Sequence, residues 1–121
     1  MGPYTLSAVD MLDFWERQAE WSQETFGPDK ERGPLGPLKH LQKEAGEAVR
    51  EAEKLTNLEP GQSMEALREE IADCLFLVFD AARRAGMSYA ALTAECKRKL
   101  AKNKARTWPK PTSDEPVEHV R

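Results

Sequence analysis

LKHLQKEAGEAVREAEKLTNLEPGQSMEALREEIADCLFLVFDAARRAG, residues 38–86, holds two acidic pairs, Glu44 with Glu47 and Glu70 with Asp73. Each pair has i, i+3 spacing, which on a helix projects both carboxylates from one face. Between the pairs lie 22 residues that include the turn signal Asn-Leu-Glu-Pro-Gly at 57–61. Two helices joined by such a turn run antiparallel and set the pairs face to face. Four converging carboxylates repel one another unless a cation lies among them, and hard divalent ions such as Mg²⁺ or Mn²⁺ favour such oxygen-rich sites.

Outward from this stretch the periodicity stays helical. The first of the two helices is expected over 38–56, with Leu41, Ala45, Ala48, Ala52 and Leu55 as its apolar stripe. His40, Glu44, Glu47 and Glu51 form a second stripe. The next helix, expected over 64–85 with Ser63 as N-cap and Gly86 as stop, turns Leu67, Ile71, Cys74, Leu75, Val78 and Ala82 to the core. Phe76, Leu77 and Phe79 make its middle apolar nearly all round, so it is either the central helix or part of a dimer interface. On so apolar a helix Glu70 and Asp73 are costly unless a cation compensates them.

Upstream, a helix is expected over 7–26 on the spacing of Val9, Leu12, Trp15 (or Phe14), Ala19 and Ser22, ended by Gly27-Pro28. Residues 27–37, with three prolines and three glycines, read as irregular loop, and lack the G-K-[ST] of a Walker phosphate loop. Downstream, a fourth helix is expected over 89–106, capped by Ser88, with Leu92, Cys96 and Leu100 apolar and Lys99, Asn103 and Arg106 on one face. The fold class is all-α, a four-helix bundle over residues 1–109, with 110–121 a polar, extended or disordered tail.

The bulk composition narrows the function. A net charge of −3 with 32% charged residues does not suit a general nucleic-acid binder. No stretch approaches the roughly 20 apolar residues that span a bilayer, and the first ten residues do not read as a signal peptide. Two cysteines inside helical patterns suit reduced core thiols of a cytoplasmic protein, and no zinc-ligand spacing occurs.

Each candidate has a plain structural alternative. Glu44, Glu47 and Glu51 alone read first as a solvated helix face; the matched pair Glu70 and Asp73 is what turns the reading to a metal site. Lys99 and Arg106 near a helix C-terminus complement the macrodipole, or neutralise a polyphosphate. His40, one turn before Glu44, binds phosphate, contacts a base or orients a carboxylate. Asp80 binds a sugar hydroxyl, pairs with Lys99, or lies in a buried salt bridge. Trp15, Trp21, Phe14 and Phe26 suit core packing, with one tryptophan free to stack on a nucleobase. A di-iron bundle needs E-x-x-H motifs, which neither acidic pair supplies.

E-x-x-E followed about 20 residues later by E-x-x-D, on two helices of a small all-α chain, resembles the MazG-like nucleoside triphosphate pyrophosphohydrolases. TFGP (25–28), GPLKHLQKEAGEA (36–48), EEIADCLFLVFDAARRAGMS (69–88) and KLAKNKARTWPKP (99–111) are similar to their phage and bacterial dATP/dGTP pyrophosphohydrolase branch. The resemblance covers residues 12–111. It implies that Glu44, Glu47, Glu70 and Asp73 ligate catalytic Mg²⁺ or Mn²⁺, more than one ion, and that Lys99, Asn103 and Arg106 bind phosphates. His40 and Asp80, on the residue readings above, are expected as further substrate contacts. It also implies cleavage of the α–β phosphoanhydride to a monophosphate and pyrophosphate, and a homodimer or homotetramer assembled through its helices. The expected substrate is a purine nucleoside triphosphate, dGTP or GTP first. The alternatives are dATP or broad house-cleaning hydrolysis, or a non-enzymatic helical interaction module.

Overall fold

The computed structural model describes residues 8–57 and 64–121. Its elements are α1 (Ala8–Phe26), a 3₁₀ turn (Asp29–Glu31), α2 (Leu35–Thr56), α3 (Met64–Arg84) and α4 (Tyr89–Ala105). Among the described residues there is no strand beyond one antiparallel bridge between Thr107 and Val120, so the chain is all-α as expected. Among the described residues no helix is long and apolar enough to cross a membrane. The expected helix start at Ser7, the turn at 58–61 and the Ser63 cap lie outside the described residues, as does the side chain of Val9. Two compact units result, one ending at Ser88 and one running Tyr89–Arg121, and they are taken in turn.

In the first unit α2 and α3 pack along each other, and α1 and the 3₁₀ turn pack on α3. The helix ends obey local chemistry. Gly27 (φ 97°) closes α1 with its amide on the Gln23 carbonyl at 2.9 Å. Gly86 (φ 85°) closes α3, where its amide donates to Arg83 and that of Met87 donates to Ala82, at 2.9 and 3.0 Å. Only glycine takes this left-handed conformation without strain.

The core is small and mixes rings with polar groups. Trp15 meets Phe79 edge-to-face at 4.9 Å, and the Arg83 guanidinium lies 5.4 Å from the Trp15 ring centre. Gln18 and Asp80 are only 5% and 6% exposed. Their burial is tolerable because they are bonded to each other: Gln18 Nε2 donates to Asp80 Oδ1 at 3.0 Å, and Arg83 donates to Gln18 Oε1, Asp80 Oδ1 and Asp29 Oδ2.

Three expectations are corrected here. Residues 27–37 are not all irregular: they contain the 3₁₀ turn, and α2 starts at Leu35 rather than Leu38. Pro37 is accepted because first-turn amides have no intrahelical acceptor, so a residue without N–H loses nothing there. Asp29 N–H donates to Gln23 Oε1 at 3.2 Å, and Asp29 takes Arg83 Nε at 2.8 Å, which ties the turn down on α1 and α3. Second, Ile71, Leu75 and Val78 do not enter the core; they are 57%, 39% and 37% exposed. An α3 apolar on every side has more surface than its neighbours in one chain cover. Third, neither cysteine is buried: Cys74 is half-buried, Cys96 is exposed, and both are free.

In the second unit, α4 presents Leu100 and Cys96 to solvent rather than to a core. Beyond it the tail doubles back. Val120 N–H donates to Thr107 O at 2.6 Å, His119 packs edge-on to Trp108, and Trp108 Nε1 donates to Asn103 O at 2.8 Å.

Candidate metal and nucleotide site

Helical spacing and antiparallel packing bring Glu44 and Glu47 of α2 against Glu70 of α3. One carboxylate oxygen from each lies within 4.8 Å of the others. All three are half-buried, as is Glu51, so this stripe of α2 faces its neighbour and not open solvent. Glu51 takes Lys54 Nζ at 3.4 Å, and among the described residues no lysine or arginine pairs with the other three. His40 Nε2 lies 3.2 Å from Glu44 Oε1, one helical turn away.

Crowded acids do not all stay ionised. Glu70 is pushed from its usual 4.5 up to about 7, first by its hydrogen bond with Glu44, then by burial and by the charges of Glu44, Glu47 and Asp73. Glu44 moves down, chiefly as acceptor of that Glu70 bond, helped by Glu47 and His40 against the opposing effect of burial. The Cys74 thiol beside them is pushed up by burial and by the same carboxylates. Glu70 Oε2 is shut off from solvent and has no hydrogen-bond donor among the described residues. Such an oxygen beside two further carboxylates wants either a shared proton or a cation. The donor set is all oxygen, which fits Mg²⁺ or Mn²⁺ and not a soft metal.

Asp73, the fourth expected ligand, is exposed and lies outside this trio, though its charge is felt at Glu70. It lines an adjoining pocket of about 400 Å³ together with Glu44, which therefore belongs to both cluster and pocket. His40 and Asp80 also line it. Asp80 is thereby a wall residue, but its Oδ1 is already engaged by Gln18 and Arg83. Lys99, Asn103 and Arg106 lie in the second unit. There Arg106 Nη1 donates to Asn103 Oδ1 at 3.3 Å, and Arg106, with burial and two more cations, lowers the Lys99 pKa. Lys99 and Asn103 stand on α4 and Arg106 one residue beyond its end.

The rest of the pocket wall includes Trp21 and Phe26 in edge-to-face contact at 5.6 Å, Arg32, Arg84, Phe76 and Leu77. Trp21 is one of the tryptophans that the sequence offers for base stacking; Arg32 and Arg84 carry no signal beyond their place at helix ends.

The family model for dATP/dGTP pyrophosphohydrolases matches residues 14–121. The "Eaa protein" of Salmonella phage P22 is 43% identical over 103 residues, covering 85% of this chain and 27% of that protein. The chain thus spans about a quarter of the length of that relative. No solved structure matches it.

Proposed function

This chain belongs to the dATP/dGTP pyrophosphohydrolase family, and on that premise we propose that it hydrolyses purine deoxynucleoside triphosphates, dGTP foremost, at the α–β phosphoanhydride. Water adds to the α-phosphorus, the bond to the bridging oxygen breaks, and a nucleoside monophosphate and pyrophosphate leave. The observation that carries the reading is the convergence of Glu44, Glu47 and Glu70 at the edge of a pocket of nucleotide size.

Glu44, Glu47 and Glu70 would hold Mg²⁺ or Mn²⁺, with Asp73 on the pocket wall as the fourth ligand. When bound, such ions supply charge neutralisation for the triphosphate and acidify a water. Glu70 gives up its proton to enter the ionised set. His40 orients the Glu44 carboxylate through their contact. One carboxylate of the set takes the proton of the attacking water. Lys99, Asn103 and Arg106 serve the phosphates, supported by their motif and by the positive charge that Lys99 and Arg106 bring to the C-terminal end of α4. A homodimer or homotetramer is the proposed assembly, supported by the uncovered apolar stripe of α3.

A panel of canonical NTPs and dNTPs with Mg²⁺ or Mn²⁺, with products resolved, tests the reading. Monophosphate plus pyrophosphate from a purine substrate is expected, with Glu47→Gln lowering kcat at least about 100-fold. Diphosphate plus phosphate would place the cut at the wrong bond. No turnover at all would leave a helical module with an acidic face.

A further inference from the structure

We propose that Arg84 is the guanine-reading residue of the pocket, donating from its guanidinium to O6 and N7 of the base; this rests on the nucleotide reading above. Arg83 and Arg84 are neighbours with opposite fates. Arg83 is consumed by Asp29, Asp80 and Gln18. Arg84 lines the pocket, and among the described residues it has no ion pair or side-chain hydrogen bond. Its Nε is shut off from water and has no acceptor. A Cβ built on Gly36 would stand 3.9 Å from Arg84 Nη1, so the guanidinium lies against the start of α2. Arg84 is half-buried, and of its three guanidinium nitrogens only Nε is enclosed, so the two Nη groups are what it can offer to an acceptor that the ligand brings.

The acceptor is a base and not a phosphate, because of where Arg84 stands. It is 11 residues beyond Asp73 on α3, or about 16 Å along the axis. Helical side chains lean toward the N-terminus, so the guanidinium reaches back toward the acids and shortens that gap. With the triphosphate at the carboxylates, what remains for the far end is sugar and base. Between Asp73 and Arg84 on α3 stand Phe76 and Leu77, and Trp21 and Phe26 line the same pocket, a lining for a flat ring and not for a phosphate.

Arginine only donates. Guanine offers two adjacent acceptors on its O6/N7 edge, whereas adenine sets an amino donor beside N7. The pocket therefore favours guanine, and hypoxanthine with it, over adenine.

The test is kcat/KM for dGTP, dITP and dATP on the wild-type chain, Arg84→Met and Arg84→Lys, with helicity checked for each. Wild type is expected to favour dGTP and dITP alike over dATP. Arg84→Met is expected to lower both by about 10- to 100-fold and dATP far less, collapsing the ratio, and Arg84→Lys to lose most of it despite keeping the charge. The proposal is overturned by equal loss on dGTP and dATP, by dITP behaving as dATP, or by a wild type indifferent to the base. If the wild type hydrolyses nothing, the activity reading falls separately. Calorimetric binding of dGMP against dAMP then decides: a guanine preference lost in Arg84→Met supports the role of Arg84, and no preference sinks it.

Discussion

Glu70 joins the site's chemistry to the protein's stability. Its native pKa, about 7, stands above the usual 4.5. Between those values the folded chain holds more of this proton than the unfolded chain does, so Glu70's contribution is complete below the lower value and is lost as pH rises through the higher. Glu44 moves the other way, but its window lies below its ordinary value and does not overlap. In chelator, the melting temperature is therefore expected to fall as pH climbs from about 5 to about 8, and Glu70→Gln, which keeps the neutral shape, to flatten that fall. Mg²⁺ or Mn²⁺ needs the ionised form, so added ion is expected to raise the wild-type melting temperature by about 5 °C at the upper pH and little at the lower. Glu70→Gln is expected to lose most of that gain. An ion effect equal at both pH values, or equal in the variant, would remove Glu70 from the ligand set.

At the scale of elements, α1, α3 and the 3₁₀ turn are held by one buried polar cluster. Asp80 and Arg83 carry side chains 9% and 8% exposed, and Asp29 and Gln18 complete their bonding. Asp80→Ala leaves a buried guanidinium short of a carboxylate, a loss of about 3 kcal/mol or more. Chemical denaturation is expected to show it, and the double change Asp80→Leu with Arg83→Met is expected to cost less than Asp80→Ala alone, because it leaves no charge behind. A single variant within 0.5 kcal/mol or so of wild type would mean the cluster is dispensable. The same cluster marks what the sequence could convey. Periodicity and stop signals at Gly27 and Gly86 located four helices, because those features act locally. The paired spacing of Glu44, Glu47 and Glu70 also sufficed to bring them together. Gln18, Asp29 and Arg83 stayed invisible, since three residues on three elements meet only through the packing. Asp80 was legible as either a buried ion pair or a ligand, and it took the distance to Arg83 to place it in the pair.

For the molecule as a whole, the unfinished surface is on α3. Met64, Ile71, Leu75 and Val78 recur at helical spacing over about 20 Å and are all exposed, Met64 and Ile71 by more than half. Scattered apolar residues on a surface are ordinary, but a continuous stripe on a helix that is apolar on its other sides too is not. A 121-residue chain whose core rests on few buried rings gains more than a large one from covering such a stripe with a second copy. Light scattering is therefore expected to return at least twice the 13.7 kDa chain mass, and Leu75→Glu, which sets like charges against each other across a two-fold interface, to return the single-chain mass. Leu75 lies off the pocket wall, so activity measured on the dissociated variant separates two roles for assembly. Turnover lost together with the oligomer would mean that one copy completes the other's site; turnover kept would confine the stripe to stability. A wild-type chain already monomeric at working concentration would take this face out of self-association.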